Sequence, residues 1–138
     1  MLRPSSTRRS RHAAGFTLIE LMVVVALISV LAGMGVVMYR NSIKRTQEAV
    51  LREDLFRMRD AIDQYYADKA KYPVSLEALV AEGYLRQIPR DPITNSSETW
   101  VTVPSEPDPG DPTAEAGIFD VKSGAEGNSI DGSPYADW

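Results

Sequence analysis

Nineteen consecutive residues, Leu21 to Tyr39, carry no charge and are drawn mostly from Leu, Met, Val, Ile and Ala. Coiled into an α-helix at 1.5 Å per residue, such a run spans roughly 29 Å, about the hydrocarbon thickness of a bilayer. In a chain of 138 residues this leaves room for one small folded domain beside it. The segment before the run holds Arg3, Arg8, Arg9 and Arg11 and no acid within residues 1–15. That bias predicts a single membrane crossing with the N-terminus on the cytoplasmic side and the remainder outside. The alternative is a cleaved secretory signal with its small-residue junction at Val30-Leu31-Ala32. The run is longer than an ordinary signal core and continues past Ala32 without a polar break, which favours a retained helix.

Glu20 stands at the mouth of this run, with Phe16 to Ile19 before it. A carboxylate in a bilayer is costly unless something pairs with it, so an acid here points to a function. A position at headgroup level would leave the apolar residues on its N-terminal side unexplained.

The rest of the chain is acidic. The whole sequence has 15 Lys and Arg against 19 Asp and Glu, and without residues 1–15 the balance is 11 against 19. Nucleic-acid affinity comes largely from cations on phosphates, so this domain is not built for it. With no cysteine there is no disulfide framework, thiolate metal site or cysteine nucleophile. The single histidine, His12, lies in the basic leader. No serine has a recognisable general base and no Gly-rich phosphate loop is present, so no catalytic constellation emerges and the chain reads as a non-enzyme.

Beyond Tyr39 the helical period continues. Leu51, Leu55, Met58, Ile62 and Tyr65 or Tyr66 form one narrow apolar stripe, with Arg52, Glu53, Asp54, Arg57, Arg59, Asp60 and Asp63 between them as a solvated face. No proline occurs from Gly15 to Tyr72, so one helix is predicted from about Phe16 to about Ala70. Its first half must lie in lipid or against other copies, and its second half under a small C-terminal domain. Gly33 and Gly35 inside the membrane half allow close helix packing, or a weak point that unwinds. Ser75 is a predicted N-cap for a short helix over Leu76 to Glu82, stopped at Gly83. Trp100 to Val103 and Ile118 to Val121 read as strands, and Pro104 to Pro112 as an exposed loop. Two to four short antiparallel strands are predicted. Tyr65, Tyr66 and Trp100 read as core aromatics. The fold class is α+β, a long N-terminal helix on a small antiparallel sheet with a structured C-terminal loop.

Gly15-Phe16-Thr17-Leu18-Ile19-Glu20, behind a basic leader and ahead of a long apolar helix, resembles the N-terminal signal of type IV pilins and pseudopilins. The order Tyr72-Pro73, Leu76-Glu77-Ala78-Leu79, Gly83-Tyr84-Leu85, Ile88-Pro89, Asp91-Pro92 and a tail from Phe119 to Trp138 with Lys122-Ser123-Gly124 is similar to the major pseudopilins of bacterial type II secretion. The resemblance covers nearly the whole chain except the Pro104 to Pro112 loop. It implies cleavage by a prepilin peptidase between Gly15 and Phe16, with N-methylation of Phe16. It implies that Glu20 pairs with the N-terminal amine of a neighbouring subunit during assembly. The domains are then a cleaved leader (1–15), an assembly helix (16–39) and a periplasmic domain (40–138), comprising an amphipathic helix (40–70) and an α+β head (71–138). The implied location is the bacterial inner membrane, single-pass, with the C-terminal domain in the periplasm. Many members have a proline where this chain has Val37, so unwinding here would rest on glycine. The implied role is a structural subunit of a filament that drives export across the outer membrane, powered by a separate ATPase. Its partners would be copies of itself, minor pseudopilins, the prepilin peptidase, an inner-membrane assembly platform and membrane lipid. A type IV pilin or minor pilin of a surface fibre shares every N-terminal feature and stands as the alternative.

Asp120, Glu126, Asp131 and Asp137 lie within the last 19 residues. Calcium takes six to eight oxygens from carboxylates and carbonyls on flexible loops, although the spacing is not that of an EF-hand and an acidic tail can simply be solvated. The resemblance implies a calcium ion in this loop, a staple where type IVa pilins have the disulfide that this chain cannot form. Glu126 and Asp131 are the candidate ligands, with main-chain carbonyls completing the set. Asp120 reads as a strand residue and Asp137 as a surface acid.

Overall fold

A computed structural model describes residues 15–107, 110 and 115–138. The basic leader up to Ala14, and residues 108, 109 and 111–114 in and just after the Pro104 to Pro112 loop, lie outside the described residues. The chain divides into two compact units, Met1–Met38 and Tyr39–Trp138. Helix α1 runs Leu18–Lys69, within two residues of its predicted start and one of its predicted end.

In the first unit every described residue is exposed, from Phe16 through Met38. The helix is long and apolar enough to cross a membrane. It continues through Gly33 and Gly35, where a β-carbon would meet no other atom within 4 Å. The hydroxyl of Ser29 donates back to the Val25 carbonyl at 2.8 Å, which satisfies the polar group inside the apolar run.

The second unit is organised on the apolar stripe of α1. Leu51, Leu55, Met58, Ile62 and Tyr65 are all buried, Leu51, Met58 and Ile62 completely. Each such side chain contributes about 1.5–3 kcal/mol relative to leaving it in water. Tyr66 is not part of this core. It is 45% exposed and stacks on Tyr72 with ring centroids 4.5 Å apart. A helix advances 100° per residue, so only one of two adjacent tyrosines can continue a narrow stripe, and it is Tyr65.

Directly after α1 stands Ala70, whose φ of +53° puts an alanine in the left-handed region. Its N–H still reaches the Tyr66 carbonyl at 2.8 Å. Helix α2 spans Leu76–Ala81, with the Ser75 hydroxyl accepting from the Ala78 N–H as predicted. Gly83, at φ +84°, reverses the chain behind it. Tyr84 and Leu85 then both donate to the Leu79 carbonyl.

Strands β1 (Val101–Pro104) and β2 (Ile118–Lys122) form an antiparallel two-stranded sheet, the lower end of the predicted range. The register shifts between Val103 and Pro104, which pair with Asp120 and Ile118. The extra residue on β2 is Phe119, which is exposed while Ile118 and Val121 are both buried. Without this bulge, two residues three apart on a strand would face opposite sides. Arg59 on α1 holds β2 in place, donating to the Asp120 carboxylate at 2.7 Å and the Val121 carbonyl at 2.9 Å. Trp100 is buried and donates its indole N–H to the Pro89 carbonyl. Asp91 is fully buried, with Oδ1 accepting from the N–H groups of Ile93 and Thr94 and Oδ2 from Ser123 Oγ at 2.6 Å. The Asp91-Pro92 and Lys122-Ser123-Gly124 segments therefore meet. The tail ends in a 3₁₀ turn, Tyr135–Asp137, with Tyr135 buried.

Two substitutions test this packing by thermal or chemical unfolding of the full chain in detergent. Ala70→Gly relieves the left-handed alanine and is expected to stabilise by about 0.5–1 kcal/mol, the left-handed penalty less the added chain entropy of glycine. Gly124→Ala drives a methyl into the Thr99 carbonyl and is expected to destabilise by about 1–3 kcal/mol or more.

Candidate functional site

The N-terminal determinant is built from Gly15, Phe16, Thr17 and Glu20. Gly15 and Phe16 precede the helix, with Phe16 87% exposed and no atom within 4 Å of a β-carbon placed on Gly15. Both would be open to a peptidase. Thr17 and Glu20 cap the helix reciprocally. The Glu20 N–H donates to Thr17 Oγ1 at 3.2 Å, and the Thr17 N–H donates to Glu20 Oε2 at 3.4 Å. A threonine followed three residues later by a glutamate is the capping-box pattern, and it satisfies N–H groups that have no partner within the helix. Glu20 thus has a partner within its own chain, at the point where the apolar surface begins. The long reach of 3.4 Å leaves that partner weakly held.

The second candidate region is the C-terminal loop, residues 123–138. Asp131 Oδ1 takes the hydroxyls of Ser129, in very close contact, and Ser133 at 2.8 Å, together with the Ser133 N–H at 3.3 Å. These donors, with the Arg52 guanidinium beyond them, hold its carboxyl down at about 2. Glu126 is exposed and lines a surface recess with Arg40, Lys44, Gln47, Asn128 and Tyr135. Of the two predicted ligands, Asp131 is bonded within its own turn, while Glu126 lies exposed at the recess. Asp120 lies in β2 and Asp137 on the surface.

The donor set around the loop fits a calcium ion poorly. Asp131 Oδ1 already accepts three hydrogen bonds. The carbonyls of Gly127, Ser129 and Ser133 accept from the N–H groups of Tyr135, Gly132 and Ser129. That of Asn128 accepts from Lys44 Nζ at 2.9 Å. Among the described residues no three Asp, Glu, His or Cys side chains gather into a metal-binding group.

Three residues of α1 that the sequence pattern did not single out as a site meet this loop. Besides Lys44, the buried Glu48 accepts at Oε1 from the Ile130 N–H at 2.9 Å and the Tyr135 hydroxyl at 2.8 Å. Burial, then the hydrogen bond to Glu48 and its charge, push the Tyr135 hydroxyl up to about 12. Arg52, which composition alone assigns to a solvated face, lies 4.3 Å over the Trp138 ring and 3.6 Å from Asp131. Their spacing of four was the available signal, but charges at that spacing are equally common on a face that touches only water.

Residues 10–36 match the family described as the prokaryotic N-terminal methylation motif. Over their length the chain is also similar to proteins named type II secretion system core protein G. It is 28% identical to that of Vibrio cholerae, with 95% of each chain covered. It is 30% identical to that of Pseudomonas aeruginosa, covering 93% of this chain and 96% of the other. With the Escherichia coli protein it shares 31% identity over 64% of this chain and 72% of the other. No solved structure matches the chain. An N-terminal methylation signal, an exposed apolar helix behind it and end-to-end similarity to these proteins place the chain in the type II secretion system core protein G family, the major pseudopilins.

Proposed function

We propose that this chain is the repeating structural subunit of a type II secretion pseudopilus, assembled in the periplasm from the inner membrane, and that it acts by polymerising rather than as an enzyme. The observation that carries this reading is the first unit of α1, an apolar helix exposed from Leu18 through Met38 and headed by a single carboxylate. Such a surface is at rest only in lipid or against other apolar helices. Moving subunits from bilayer to filament exchanges one apolar surrounding for another, so the transfer needs no large change in solvation.

The chemistry at Glu20 sets the register of that exchange. Cleavage between Gly15 and Phe16 would create a cationic amine one residue before Thr17. A cation and a carboxylate brought together in a low-dielectric region each remove the other's burial penalty. Among the described residues of the single chain, the Glu20 carboxylate accepts from the Thr17 N–H, at 3.4 Å. A neighbour's amine offers a charge-assisted bond of roughly twice the strength of a neutral one. The apolar helix supplies the holding energy and the ion pair supplies the alignment. Docking with minor pseudopilins and with the inner-membrane assembly platform would use the same exposed helix.

Glu20→Ala is expected to be cut normally at Gly15-Phe16, as read by intact mass of the membrane protein, yet to form no filaments when cross-linked or imaged. Normal assembly of the variant would exclude the pairing role. Filaments of the unaltered protein that extend beyond the cell surface would instead mark a surface fibre.

A further inference from the structure

The side chains of Lys44, Glu48 and Arg52 lie on one face of α1, four residues apart, and each meets a different part of the C-terminal loop. Lys44 donates to the Asn128 carbonyl at 2.9 Å. Glu48 accepts from the Ile130 N–H and the Tyr135 hydroxyl. Arg52 covers the Trp138 ring and approaches Asp131. Positions i, i+4 and i+8 of a helix advance by about 6 Å per step along one face. The loop runs past them in the same order, from Asn128 through Ile130 to Asp131 and Trp138.

We infer that this ladder closes the C-terminal loop in place of a metal ion, so that the folded head of this pseudopilin does not depend on calcium. A structural calcium would gather loop carbonyls and carboxylates around one positive centre. Here the Lys44 ammonium supplies the positive charge to a loop carbonyl, and Arg52 supplies it to the loop carboxylate. The loop's own hydroxyls fill the near oxygen of Asp131. The middle rung works in the opposite sense, since Glu48 is an acceptor that satisfies a loop N–H and a buried phenol. Glu48 is only 7% exposed. Removing it would strand both donors, and an unsatisfied buried donor is more damaging than the loss of an ordinary surface bond. Trp138 completes the closure, donating its indole N–H to Ser133 Oγ at 2.9 Å and packing edge-on against Tyr135. Every rung lies within residues 39–138, so the inference stands whether or not the chain assembles into filaments.

The test uses the full chain in detergent micelles, melted in excess chelator and in about 10 mM calcium chloride, well above the ~0.1–1 mM dissociation constants of extracellular calcium modules. The expected result is one melting midpoint in both conditions and no heat of calcium binding by titration calorimetry. Lys44→Met and Glu48→Leu are each expected to lower the midpoint by about 4–8 °C, equally with and without calcium. A rise in the wild-type midpoint on adding calcium, or saturable calcium binding, would overturn the inference. So would wild-type midpoints for both variants. If Glu48→Leu fails to fold, Lys44→Met, whose side chain is only half-buried, and the calcium titration of the unaltered chain still decide the matter.

Discussion

The head of this protein depends on a single strip of helix surface. Leu51, Leu55, Met58, Ile62 and Tyr65 belong to one buried cluster with Leu76 and Leu79 of α2, Ile118 and Val121 of β2, and Ala125 and Tyr135 of the tail. Two strands could not stand alone, because an isolated hairpin in water is marginal. Strand β2, the end of α2 and the tail are each tied to α1 by polar contacts as well. Arg59 ties β2, Lys69 and Tyr65 reach Glu82 behind α2, and Lys44, Glu48 and Arg52 reach the tail. The small core fixes what packs together, and the flanking charges fix in which register it does so.

The parts of this arrangement written in local patterns were legible in the sequence. The apolar stripe has a period, Ser75 has a cap's chemistry, Gly83 a stop's, and the two short strands carry β-branched runs, so the structure returns each within a residue or two. Features that depend on which distant segments meet were not legible. The bulge at Phe119 exists because Ile118 and Val121 must both enter the core, and no alternation in Ile118-Phe119-Asp120-Val121 announces it. Asp91 and Ser123 are 32 positions apart, and nothing near either indicates that one carboxylate oxygen will accept the other's hydroxyl. Lys44, Glu48 and Arg52 look identical to a solvated helix face until the tail lies across them. Glu126 and Asp131 were legible as acids in a turn-rich loop, but that Asp131 would be taken up by neighbouring serines and by Arg52 of α1 was not.

The N-terminal site shows a different limit. The Thr17–Glu20 pairing was written in the sequence as a capping box, but the carboxylate at the head of an apolar run drew attention to the membrane instead. The two readings are not rivals. A helix needs its first N–H groups satisfied wherever it sits, and the bilayer makes that need more severe because water is absent. Glu20 meets the need within its own chain at 3.4 Å, a loose bond that a better donor can displace.

On the proposed pairing role of Glu20, that looseness would separate storage from assembly. Were Glu20 held tightly, by a short bond or by a cation of its own chain, a neighbouring amine would have to displace an equal partner and would gain little. Were it held by nothing, the carboxylate would pull the helix mouth toward water and the apolar run would shift out of register with the bilayer. A weak backbone partner lies between these. It keeps the helix start formed and the charge solvated by one N–H, while leaving most of the carboxylate's bonding capacity free. The other half of the cap, from the Glu20 N–H to the Thr17 hydroxyl at 3.2 Å, does not involve the carboxylate. On the proposed role, the helix would give up half of its cap and keep the other half, and the carboxylate would become available for pairing without disturbing the apolar surface behind it.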